Sequence, residues 1–70
     1  MKLIYDPKTD ILTLILRDAP VKESDEIKEG VIVDYGADDK VVSIEMLDAS
    51  DVVSEPQSLL YEVKAQKATA

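Results

Sequence analysis

Ile11-Leu12-Thr13-Leu14-Ile15-Leu16 is apolar on both faces, and in a chain of 70 residues that feature constrains the fold more than any other. The run is bounded by turn chemistry, Asp6-Pro7-Lys8-Thr9-Asp10 before it and Asp18-Ala19-Pro20 after it. An apolar run this short between such breakers reads as a strand and not as a buried helix. As a strand it points Leu12, Leu14 and Leu16 to one side and Ile11, Thr13 and Ile15 to the other. A strand wetted on one face alternates apolar with polar, so this one calls for a cover on both faces. One C-terminal helix can supply only one of them.

The remaining segments are consistent with a sheet. Val, Ile and Leu dominate the apolar residues, Phe and Trp are absent, and Tyr5, Tyr35 and Tyr61 are the only aromatics. β-Branched, aromatic-poor chains favour aliphatic-filled strands. Lys2 to Tyr5 forms a hairpin with the two-sided strand. Lys22 to Glu29 is mostly charged and ends in a short polar edge strand near Asp25 to Lys28, where charge discourages unwanted pairing. Gly30 marks a turn or bulge before the strand Val31 to Tyr35; Gly36 to Lys40 is a hairpin loop, and Val41 to Leu47 returns with Val42, Ile44 and Met46 on one face. Beyond it, Val52, Val53, Pro56, Leu59, Leu60 and Val63 fall on one helical stripe. Ser50 offers an N-cap, and Ser54-Glu55-Pro56-Gln57 offers a restart across Pro56. The expected fold is therefore α+β: a meander of four to five antiparallel strands followed by a C-terminal helix packed on one face. It is read as a single domain over residues 1–64 with a frayed tail over 65–70.

Charge and missing residue types narrow the chemistry. Eight basic against fifteen acidic side chains give a net charge of −7, which repels nucleic acid backbones. No apolar run approaches the ~20 residues of a membrane span, and the N-terminus lacks a signal peptide's apolar stretch, so a cytoplasmic protein is expected. There is no cysteine for a disulfide or thiolate metal site, and no histidine to serve as ligand or general base. The serines at 24, 43, 50, 54 and 58 accordingly have no histidine to activate them, and two glycines make no phosphate loop. No cofactor is indicated.

Three segments taken together carry a resemblance. Tyr5-Asp6-x-x-x-Asp10-x-Leu12, then Gly30-Val31-Ile32-Val33-Asp34-Tyr35, then Val41-Val42-x-Ile44-Glu45-x-Leu47-Asp48-Ala49-Ser50 resemble the domain of unknown function 2283 family, over roughly residues 1 to 53. The resemblance implies a small prokaryotic protein with a β-sheet followed by a helix, and it brings no established activity. Members often stand beside a second small gene, in arrangements similar to toxin–antitoxin pairs. Two positions depart from the usual pattern: Asp38-Asp39 stands where Asp-Gly is common, and Ser43 where Gly follows the Val-Val pair. Asp39 can take the left-handed conformation the loop needs, but a glycine-dependent ligand site is not available.

Residues 34 to 55 hold seven acidic side chains against Lys40 alone. Asp34, Asp38 and Asp39 are the candidates for a divalent cation, although their spacing does not match a calcium loop and hairpin loops are rich in Asp for backbone reasons. Tyr5 with Asp6 and Asp10, or Tyr35 with Asp34, would make an acid–base pair only if the phenol were strongly perturbed; the simpler reading leaves a half-buried ring with its hydroxyl in water. No catalytic residue is assigned. What remains is surface. Ile11, Thr13 and Ile15 form the face left for an interface, covered by a second copy in a homodimer centred near Ile15, by a basic protein partner, or by the segment 18–29 through Val21 and Ile27. The function expected is a non-catalytic interaction module, antitoxin-like and paired with a partner protein. The alternative is a small enzyme or a cation-binding protein using the acidic loop.

Overall fold

Turn residues cut the apolar segments into strands short enough to lie in one sheet. The structure, a computed structural model, describes residues 1–65. Its strands are β1 (Lys2–Asp6), β2 (Ile11–Ile15), β3 (Glu23–Lys28), β4 (Val31–Tyr35) and β5 (Val41–Met46). All pairings are antiparallel, in the order β1-β2-β5-β4-β3. A simple meander is therefore the wrong topology. The connection after β2 carries the chain to the far edge, and β5 returns to pair with β2. The physical reason lies in composition: the acidic β3 takes an edge, while the apolar β4 and β5 fill the centre.

The register sorts the side chains, because directly paired residues share a face. One face gathers Leu3, Tyr5, Leu12, Leu14, Ile44, Met46 and the valines 31 and 33; it is called the leucine face below. The other, the isoleucine face, carries Ile4, Ile11, Thr13, Ile15 and Ile32 around Ser24, Asp34, Ser43 and Glu45. Gly30 joins β3 to β4 at φ +80, which only glycine adopts without strain. Asp39 takes φ 63 in the next hairpin loop, as expected.

No C-terminal helix packs on the sheet, and the α+β expectation is overturned. After β5 the described residues contain one 3-10 turn, η1 (Ala49–Asp51), and no other helix. Pro56 disfavours the right-handed helical region for the residue before it, and Glu55 leaves that region, at φ 53. Ser58 N–H then reaches only the Glu55 carbonyl, closing a single turn. The stripe of Val52, Leu59, Leu60 and Val63 stays exposed, and a segment this short does not hold a helix without packing. Ser50 caps nothing: the N-cap position is Asp48, with no side-chain cap bond. Apart from Ala65, the frayed tail expected over 65–70 lies outside the described residues.

The result is a thin molecule. Val33, Val42 and Ala49 are its buried apolar residues, and no large side chain is fully enclosed. The chain exposes 5931 Å², where a compact chain of its mass exposes about 4300 Å². Its radius of gyration is 14.7 Å, against about 11 Å for a compact chain of this length. No helix among the described residues is long and apolar enough to cross a membrane.

Candidate functional site

Two aspartates organise the polar chemistry. Asp10, at the end of the first hairpin loop, accepts a bond from Tyr5 Oη at 2.7 Å on Oδ1. Ser50 donates its hydroxyl to Oδ2 at 2.6 Å and its backbone N–H to Oδ1 at 3.0 Å. Ala49 N–H meets the Asp10 carbonyl at 2.9 Å. Asp10 therefore ties the first hairpin to η1. The Ser50 hydroxyl, then that of Tyr5, holds its carboxyl below the ordinary range, while the same bond pushes the Tyr5 phenol up. A raised phenol stays protonated at neutral pH, and the Tyr5 hydroxyl is bonded and not simply in water.

Asp34 is the second centre, 5 % exposed on the isoleucine face. Ser24 Oγ from β3 and Ser43 Oγ from β5 each donate to it at 2.6 Å. Burial opposes its charge, but these bonds and one from Glu45 outweigh that and hold the carboxyl low. Glu45 moves the other way, raised by burial and by the neighbouring Asp34. Of the two acids, Asp34 is the one whose charged form is favoured, and Glu45 the one whose charged form is disfavoured. Ser43 supplies one of the hydroxyls.

The three cation candidates do not converge. Asp34 is held by serines, and Asp38 receives Arg17 bidentately at 2.6 and 3.0 Å. Arg17 also reaches the Val41 and Lys40 carbonyls, fastening the loop. Its guanidinium keeps the Asp38 carboxyl below the ordinary range. Asp39 supplies a left-handed corner. Among the described residues no group of three or more acidic side chains is placed to hold a metal ion.

Ile11, Thr13 and Ile15 lie together on the isoleucine face, each half-buried. Val21 and Ile27 are 49 % and 58 % exposed, so neither of them covers it. The C-terminal segment approaches the leucine face instead: Leu59 borders one depression with Leu3, Tyr5 and Leu12, and another with Leu14. The sequence reading missed both Asp–Ser networks. Spacing gives no sign that Ser50 meets Asp10 forty residues away, or that Ser24 and Ser43 meet at Asp34.

A family model described as "Protein of unknown function (DUF2283)" matches residues 2–50. The chain belongs to this family. No curated protein and no solved structure matches it. The span matched as DUF2283 ends at Ser50, the residue that closes the Asp10 network, so both aspartate centres lie inside it.

Proposed function

We propose that this DUF2283 chain is a non-catalytic interaction module that completes its core with another protein chain. The observation that carries this reading is the single-layer sheet, which encloses no large side chain. Globular domains bury such faces between at least two layers. The isoleucine face is the surface offered, since the C-terminal segment turns to the other side. A net charge of −7 suits a basic partner by speeding encounter, and an antitoxin-like pairing with a neighbouring gene's product fits that chemistry.

The test is capture of the neighbouring gene's product by the purified chain. Stoichiometric binding that Ile15→Lys abolishes supports the module. Turnover of a small substrate that Asp34→Ala or Asp38→Ala removes would overturn it in favour of the enzyme. The cation-binding alternative has no observation in its favour, because Arg17 occupies Asp38 and serines occupy Asp34.

A further inference from the structure

The two edges of the sheet differ in what they offer a passing strand. β3 reads Glu-Ser-Asp-Glu-Ile-Lys, and its register against β4 is irregular between Glu26 and Lys28. An antiparallel copy of β3 laid about a two-fold axis sets Asp25 against itself, or sets Asp25 against Glu26 at the centre with Glu23 against Lys28 at the ends. Like charges directly opposite repel, so β3 is a blunted edge. β1 reads Lys-Leu-Ile-Tyr-Asp, in regular register with β2. Apart from the turn bond between Asp10 N–H and the Asp6 carbonyl, its backbone bonds only to β2 among the described residues. Alternate N–H and C=O groups along its outer side are thus a template for another strand.

Resting on the module reading, we infer that the first partner of this chain is a second copy, joined β1 to β1 about a two-fold axis through Ile4. In that register Lys2 opposes Asp6 of the second copy, and Asp6 opposes its Lys2. Leu3 opposes Tyr5 in both directions, and Ile4 meets Ile4. Sliding the register by one or two residues leaves Lys2 opposite Tyr5 or Ile4 in one direction and opposite Pro7 or Lys8 in the other, so charge selects the centred arrangement. The contact is isologous and closes on itself, leaving the two blunted β3 strands as the outer edges of a ten-strand sheet. Ile4 pairs with Thr13 across β1 and β2, so joining the copies runs both isoleucine faces into one surface.

Lys2 and Asp6 are both exposed, but Asp6 also accepts the Lys8 N–H at 2.9 Å in the hairpin turn, so an unchanged unfolding midpoint of Asp6→Lys is the control for the fold. Mass is measured on the full chain by light scattering and sedimentation across micromolar concentrations. The unaltered chain is expected to dimerise. Lys2→Asp and Asp6→Lys each set like charges opposite one another and weaken the dimer roughly tenfold or more. An equimolar mixture of the two variants restores both ion pairs and regains the native affinity, as does the double reversal within one chain. A dimer indifferent to the reversals, or a mixture that fails to recover, overturns the edge pairing. If Ile15→Lys splits such a dimer, the copies meet through their faces. A chain monomeric at every concentration also overturns the edge pairing, while the module reading is then decided separately by the capture experiment.

Discussion

Asp10 and Asp34 do similar work in different surroundings. Each gathers two side-chain hydroxyls from different elements of the chain, and each is held below the ordinary carboxyl range. Asp10 does so at a corner of the sheet, with no second acid in its network. Asp34 does so on a buried stretch of sheet, beside Glu45, and burial works against it. The corner network needs only donors. The buried one needs donors, and its neighbour Glu45 is shifted toward the neutral form. A carboxylate is thus tolerated on the sheet face because Ser24 and Ser43 donate to it.

Asp34→Ala should cause the largest loss. It strips the acceptor from two serine hydroxyls, one of them on buried Ser43, and should cost about 2–3 kcal/mol in urea unfolding. Asp10→Ala should lower the unfolding midpoint by less, since water can replace the lost partners of Ser50 and Tyr5. An Asp10→Ala loss equal to that of Asp34→Ala would show that burial does not separate the two centres.

The pH dependence sharpens the contrast because the signs differ. Asp10, Asp34 and Asp38 are lowered on folding, so their contribution is present above the ordinary Asp value and is lost as pH falls through their folded values. Glu45 is raised, so its contribution is full below the ordinary Glu value of 4.5 and is lost as pH rises through its folded value. Glu45→Gln keeps a donor toward Asp34 without the charge. It should stabilise the protein by about 0.5–1 kcal/mol at neutral pH and abolish the decline on the alkaline side of Glu45. Thermal melts across pH 4 to 8 test this, and a variant less stable at pH 7 would break the assignment of protons.

How much of this was legible follows from what each signal is made of. Strand positions were readable because alternation and turn residues are local, and the charged edge strand and the corner at Asp39 rest on the same kind of signal. The place of β5 beside β2 was not, since pairing between distant strands leaves no mark in either one. The helix failed at Pro56: a stripe of apolar residues records spacing, whereas the proline disfavours the helical backbone at Glu55, which sits at φ 53. Tyr5, Asp10, Asp34 and Ser50 were visible as residues of a family pattern. Their roles depend on contacts that only the fold brings together.

The smallest predicted effect separates backbone from side chain in the comparison. Asp10 is left-handed at φ 56, and Asp39 is left-handed at φ 63. Asp10 uses its side chain as an acceptor, whereas no hydrogen bond engages the Asp39 carboxylate among the described residues. Glycine at either position removes the cost of a left-handed side chain, offset in part by greater freedom in the unfolded state. Asp39→Gly should therefore shift stability by no more than about 0.5 kcal/mol, in the stabilising direction. Asp10→Gly carries the same backbone term but also loses Tyr5 and Ser50, so it should destabilise. The difference between the two glycine variants, measured by denaturant unfolding at pH 7, isolates what the Asp10 carboxylate contributes. Equal effects at the two corners would mean that Asp10 matters for its backbone alone, and that of the two aspartate centres only Asp34 holds the fold through its hydrogen bonds.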